Sequence, residues 1–481
     1  MKTAVIGSES LGRERRIKSV TCYEGNLKDL TEKGCSGCLK GGKRCLSTAT
    51  FCSHLTALDE LSVVKNAVVV DHGPIGCSSG MMRWTLNYRM ESLVTGEPFG
   101  DLNVLSTNLS ESDTVFGAIN KLYDTVREAY RRHNPEVIYI TSTCMSSTIG
   151  EDFESAVDVL REEIPVPIVF VGCAGAKSKI WASGFDSEQH ANFKNLIKPP
   201  KEKRNTVNII EFLHHHKQYT IDLLDRIGLK PLFFNAHATV EDFAHASESI
   251  ASTGVCNVKA SYLGSALEKE YGVKYLADDY GMGIAGFERW YLKLAELTGS
   301  EDIAREYIAS EHEKYDPILE DYRQKFKGVK AMIIMGSGYA FELVRVLSEI
   351  GIDVVHTNSF HYDPVLDRDD DKDYMKRVTQ DIEDLPVSIS DAQHFETIKR
   401  IEKYKPDVII TRVHGAQTIA LKTGTPVVNV LAAFGFPGTV DLAEYIYEEL
   451  QNKNFVKKFG EHCGFSFTEK FKNENDKSFI V

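Results

Sequence analysis

At 481 residues and 53.9 kDa the chain has room for two to four domains, and 42% hydrophobic with 26% charged residues excludes disorder, collagen-like sequence and a coiled coil. A net charge of -13 argues against a protein that neutralises the phosphates of a nucleic acid. Without an apolar run of about eighteen residues no membrane span is expected, and the opening residues lack the apolar stretch of a secretory signal, so a cytoplasmic location is expected.

Apolar runs of strand length alternate with segments of helical period. Residues 66–71 read as a buried strand running into the turn His72-Gly-Pro-Ile-Gly-Cys77. The spacing then predicts a helix over 113–132, a strand over 137–141, a helix over 153–163 and a strand over 167–171. After a polar, proline-bearing link at 198–205, strands at 206–210 and 231–234 flank a helix around 220–227. A short apolar segment leads to Cys256, and a helix follows over 260–271. A long charged helical stretch, about 287–326, precedes a third series with strands at 330–335, 353–355, 407–410 and 426–430. A βα alternation of this kind implies parallel sheets covered on both faces. The expectation is an α/β protein of three doubly wound parallel-sheet domains: 1–200 with a cysteine-rich leader, 201–327 and 328–481. In such sheets ligands sit beyond the carboxyl ends of the strands.

The ten cysteines, at 22, 35, 38, 45, 52, 77, 144, 173, 256 and 463, crowd into the first part of the chain. In a reducing cytosol clustered thiols point to metal, catalysis or burial rather than disulfides. Cys77 and Cys144 fall just after predicted strands, and Cys52 lies 25 residues before Cys77. Three thiolates converging from three loops suit an iron-sulfur cluster, because soft sulfur ligands match iron; buried structural thiols are the alternative. Cys256 stands isolated in Ser252-Thr-Gly-Val-Cys-Asn257 and is open to reading as a nucleophile, a core residue or a single cofactor anchor, a lone cysteine being most often core.

The ordered set of Cys52, His72-Gly-Pro-Ile-Gly-Cys77, Cys144 before Ile149-Gly-Glu-Asp152, Cys173-Ala-Gly175, and Cys256 followed by Tyr262 and Tyr271-Gly272 resembles component 1 of the nitrogenase superfamily over about residues 45–450. It is most similar to the α-type subunits: those of the molybdenum-iron protein, of the cofactor-assembly scaffold and of the nitrogenase-like methylthio-alkane reductases. The resemblance implies three α/β domains. It further implies that Cys52, Cys77 and Cys144 are the α-side ligands of a P-cluster-type iron-sulfur cluster shared with a homologous β-type subunit in an α2β2 heterotetramer. Cys256 would bind the terminal iron of a large buried iron-sulfur cofactor, with Gly336-Ser-Gly338 as the glycine-rich loop beside it. Electrons would come from an ATP-dependent iron-sulfur reductase component.

Departures from the family pattern narrow the reading. The place of the histidine that binds molybdenum or vanadium is about Leu431, with no histidine near, and the place of the homocitrate-holding glutamine falls near Trp181, with Phe185-Asp186 at the histidine-rich end of that motif. An all-iron cofactor without homocitrate or molybdenum is therefore expected, and a small-molecule substrate such as a thioether rather than dinitrogen. His237, His361 and His414 follow predicted strands and are candidates for proton delivery; Lys177 is a candidate positive charge beside the cofactor, or a surface lysine. His214-His-His216 points in different directions on a helix and reads as solvated. Gly37-Cys-Leu-Lys-Gly-Gly-Lys43-Arg44 misses the Ser or Thr of a Walker loop. Cys35, Cys38 and Cys45 are either a separate metal site or an inert leader, which leaves an assembly scaffold and a non-catalytic homologue as rival readings.

Overall fold

The computed structural model describes residues 7, 9–33, 52–80, 88–89, 92–93, 96, 102–210, 217–234, 237–254, 256–277, 281–366, 382, 385–391, 394–412, 415–430, 433–464 and 467–473. The chain divides into two compact units, Met1–Arg16 with Phe51–Ala277 and Ile17–Thr50 with Asp278–Val481. Strand β1 (Tyr23–Asn26) belongs to the second unit. The first holds two sheets: β2 (Ala67–His72), β3 (Val104–Ser106), β4 (Val137–Ser142) and β5 (Ile168–Val171), then β6 (Arg204–Ile210), β7 (Lys230–Phe234), β8 (Ser249–Gly254) and β9 (Lys274–Tyr275). The strands lie in the orders β3-β2-β4-β5 and β7-β6-β8-β9, parallel throughout.

The first sheet shows why its strands read as uninterrupted apolar runs. All six residues of β2 and all six of β4 are buried, as expected where both faces are covered. Val69, Val137, Tyr139, Val169 and Val171 pack with Ala57, Leu58 and Leu61 of helix Ser53–Ser62 and Ala191 and Phe193 of helix Ser183–Asn195. Their alternating neighbours Val68, Val70, Ile138, Ile140 and Ile168 pack with Leu122 and Val126 of helix Ile119–His133 and Ala156 and Leu160 of helix Phe153–Glu163. The period of two in a strand sends successive side chains to opposite helical layers. The doubly wound parallel fold is thus present.

The second unit holds one six-stranded sheet, β1-β12-β11-β10-β13-β14, formed by β1 with β10 (Lys330–Met335), β11 (Asp353–Ser359), β12 (Pro386–Ile389), β13 (Val408–Thr411) and β14 (Val427–Asn429). β1 pairs antiparallel with β12, Tyr23 facing Ile389, so the leader adds an edge strand to the third sheet. Sequence reading placed the leader with residues 1–200 and did not expect this strand. Two long predicted helices are also broken. Gly117, at φ 80°, ends a short helix Asp113–Phe116 before Ile119–His133 begins. Gly299, at φ 67°, separates Gly283–Glu296 from Glu301–Lys325. Glycine adopts positive φ without the Cβ penalty of other residues, so both helices stop there. No helix among the described residues is long and apolar enough to cross a membrane.

His312 ties helices of this unit together. Its Nε2 lies 2.6 Å from Glu288, its Nδ1 3.0 Å from Asp316, and its ring meets Phe436 edge-on at 4.9 Å. Glu320, Arg323 and Glu349 line the same cleft, of about 400 Å³. Partial burial opposes its charge, but Asp316 and Glu288 outweigh that and raise its pKa. A raised folded-state pKa stabilises fully below the unfolded value near 6.5 and ceases to do so as pH rises through the folded value. His312→Gln should therefore cost about 1 kcal/mol or less near pH 6, since the pair is partly exposed, and a smaller amount near pH 9. Denaturant unfolding at the two pH values checks this, and an equal cost at both would show that the imidazolium contributes nothing.

Candidate metal centre

Cys52, Cys77 and Cys144 come together at the carboxyl ends of β2 and β4. Cys52 is the residue before helix Ser53–Ser62, in extended conformation. Cys77 lies in the single turn Ile75–Ser78 opened by Pro74, and Cys144 heads helix Cys144–Ile149 behind Thr143, whose side chain forms a reciprocal cap with Ser146. A Cβ built on Gly73 would fall 2.1 Å from Thr143 Cγ2, so only glycine lets the turn leading to Cys77 lie this close to the cap of Cys144. Gly175 serves the other side: a Cβ there would lie 3.2 Å from Cys52 Sγ and 3.5 Å from Cys144 Sγ. The next residue, Ala176, donates its N–H to Cys144 Sγ at 3.1 Å. Cys52 and Cys144 are exposed and Cys77 half-buried.

Behind the thiols stands a carboxylate that sequence reading missed. Asp71, fully buried at the end of β2, accepts from His54 Nε2 at 2.8 Å, from Thr141 Oγ1 at 3.0 Å and from Ser78 Oγ. Each donor lies within three residues of one of the three cysteines. Burial opposes charge on His54, but hydrogen bonds to Asp71 and Cys52 prevail and raise its pKa to about 9. Burial likewise raises the Cys52 thiol, yet the His54 side chain and the N–H groups of Leu55 and His54 bring it below the usual value. Cys77 is pushed up to about 11 by burial and by the negative charge of Asp71, Cys52 and Cys144. The available signal for Asp71 was a charged residue, followed by His72, closing an otherwise apolar strand.

Cys256 is of another kind. It is 2% exposed and directly precedes helix Asn257–Tyr271, where its carbonyl accepts from the N–H groups of Lys259 and Ala260 at 3.2 and 3.1 Å. Burial raises its pKa, while Lys259, its N–H and Arg13 pull the other way. Burial prevails and favours the neutral thiol, while Lys259 and Arg13 supply the positive charge that would balance an anionic group bound through the sulfur. Among the described residues no three His, Cys, Asp or Glu side chains are grouped as ligands of a single metal ion.

The remaining candidates divide between the two units. Gly336 precedes helix Ser337–Glu349 directly after β10, with Ser337 buried. His361 is buried beyond β11 in the same unit, its Nε2 3.3 Å from Asp363. His237 sits at φ 69° beyond β7 with Nδ1 2.9 Å from the Tyr88 hydroxyl. Lys177 follows Gly175 by two residues and pairs with Glu9, which puts it in the turn that also carries the Cys144 contact. Trp181 packs edge-on against Phe185 at 5.5 Å. His414, Leu431, His214 to His216, and Cys35, Cys38 and Cys45 lie outside the described residues.

Comparison with known proteins gives the family and the fold. The profile of the family described as nitrogenase component 1 type oxidoreductase covers residues 52–451. The chain is 25% identical over 448 residues, 88% of each chain, to the nitrogenase molybdenum-iron protein alpha chain of Methanothermobacter marburgensis. It is 25% identical over 426 residues, 85% of each, to the nitrogenase iron-molybdenum cofactor biosynthesis protein NifE of Methanococcus maripaludis. The fold superposes on the solved structure of nitrogenase Cp1 at pH 5 with a TM-score of 0.73 at 21% identity, covering 85% of this chain and 90% of that one. The chain belongs to the nitrogenase component 1 type oxidoreductase family, as an α-type subunit.

Proposed function

We propose that this chain is the catalytic α-type subunit of a nitrogenase-like reductase acting on a small substrate of the thioether class. The observation that carries the reading is the convergence of Cys52, Cys77 and Cys144 at an exposed face on a buried hydrogen-bonded support. Soft ligands gathered at a surface are one half of a cluster site, which a homologous β-type subunit completes in an α2β2 assembly. The cluster held there would supply one-electron relay from an ATP-dependent iron-sulfur reductase component. An all-iron iron-sulfur cofactor anchored by Cys256 would supply the reducing centre, with neither molybdenum nor homocitrate.

The chain's own residues hold and orient. Asp71 fixes the three loops that carry the interfacial thiols. Burial keeps water from Cys256, and Lys259 and Arg13 balance negative charge there. Among the described candidates His361 is buried with its Nε2 3.3 Å from Asp363, His237 bonds Tyr88 and Lys177 pairs with Glu9.

A second reading, a scaffold that matures a cofactor without turnover, stands beside it because the identity to the NifE relative equals that to the molybdenum-iron protein relative, 25%. The chain co-purified anaerobically with its partner should contain iron and acid-labile sulfide, and with the reductase component and ATP it should reduce a thioether over many turnovers. Transfer of iron-sulfur material to an apo acceptor without turnover would favour the scaffold. An iron-free preparation made with cofactor biosynthesis intact would sink both readings and leave a non-catalytic homologue.

A further inference from the structure

Residues 9–16 are bound along their length to the segment that follows β5 and to the helix headed by Cys256. Glu9 lies against Gly172, where a Cβ would fall 2.2 Å from its Cδ, and pairs with Lys177. Ser10 Oγ is 3.0 Å from Ser187 Oγ. Glu14 accepts from Ser178 Oγ at 2.8 Å and from the N–H of Lys179. At the centre, Arg13 grips Asp186 with two parallel bonds, Nε to Oδ2 at 2.9 Å and Nη2 to Oδ1 at 2.7 Å, and its own N–H donates to Ser183 Oγ at 3.0 Å. Arg16 Nη2 adds a third bond to Asp186 at 2.7 Å.

The same two arginines reach the helix that begins after Cys256. Arg13 Nη2 also donates to the carbonyl of Val258, two residues beyond the cysteine, and the Arg16 guanidinium lies over the Tyr262 ring at 4.7 Å. Asp186 is fully buried and Arg13 is 1% exposed. A bidentate pair at this depth holds its geometry tightly, and removing one partner leaves a buried charge uncompensated. A segment some 240 residues away in sequence thus holds the first turns of the helix headed by Cys256, and the Arg13 charge acts on the thiol.

We propose that residues 9–16 are a latched strap that completes the Cys256 site, with Arg13 and Asp186 as its positioning pair, so that the thiol is reached only when the strap releases. The proposal rests on Cys256 being the anchor of the buried group, and its test needs no bound cofactor. The full-length chain, produced without cofactor biosynthesis, is treated with iodoacetamide and modification is followed at each cysteine by mass spectrometry. Cys52 and Cys144 should react quickly in every variant, and buried Cys173 slowly. Arg13→Gln should speed modification of Cys256 by roughly tenfold or more, because the reactive state is the opened one. Arg13→Lys keeps the charge without the fork and should give a smaller increase. An unchanged Cys256 rate in Arg13→Gln overturns the strap, as does a parallel rise at Cys173, which would mean general loosening. Selective exposure of Cys256 in a protein that never loads iron would keep the strap and reject the reductase.

Discussion

Cys256→Ala should purify with the iron of the interfacial cluster and without that of the buried cofactor. The argument is one of placement. Cys256 is enclosed, at the head of a 15-residue helix, with the charges of Lys259 and Arg13 acting on it. Cys52, Cys77 and Cys144 are gathered elsewhere, at the ends of β2 and β4, on a support that does not include Cys256. Removing one sulfur from a buried position costs the fold only about 1 kcal/mol, because such a thiol packs as a small apolar group. The two metal contents therefore separate, and iron and sulfide analysis with electron paramagnetic resonance reads them apart. Loss of both clusters, or of neither, would show that Cys256 is not the anchor.

Asp71→Asn should do the reverse. The carboxylate is fully buried and serves donors beside each interfacial cysteine: His54, two residues after Cys52; Ser78, next to Cys77; and Thr141, three residues before Cys144. An asparagine fills the same space but turns one acceptor into a donor and takes away the counter-charge of His54. Breaking a buried pair in this way costs about 3–5 kcal/mol, and here the cost falls on the three loops that must hold a shared geometry. Denaturant unfolding should show the loss, and the assembly should lose interfacial iron while Cys256-bound iron persists. Wild-type interfacial iron in a variant destabilised by that amount would mean that Asp71 supports the fold and not the ligands.

The residues that sequence reading found and those it missed divide along a physical line. The apolar runs at 137–141 and 330–335 predict β4 and β10 because strands covered on both faces need continuous apolar side chains. The same pattern puts Cys77 and Cys144 just past strand ends, and their order along the chain carries the family resemblance. Helical spacing continues across Gly117 and Gly299, so the sequence predicts unbroken helices where the backbone turns at positive φ.

By itself, then, the sequence determined the alternation of strands and helices, the family, and which thiols are candidates, because those depend on local period and on the order of residues along one chain. Only the tertiary structure decided what surrounds the thiols. The bond from His54 to Asp71 spans 17 residues, that from Thr141 to Asp71 spans 70, and that from Arg13 to Asp186 spans 173. It also decided that β1 pairs with β12 rather than with the first sheet. A polar side chain's partner is chosen by where packing of the sheets brings it, and no local pattern encodes that choice.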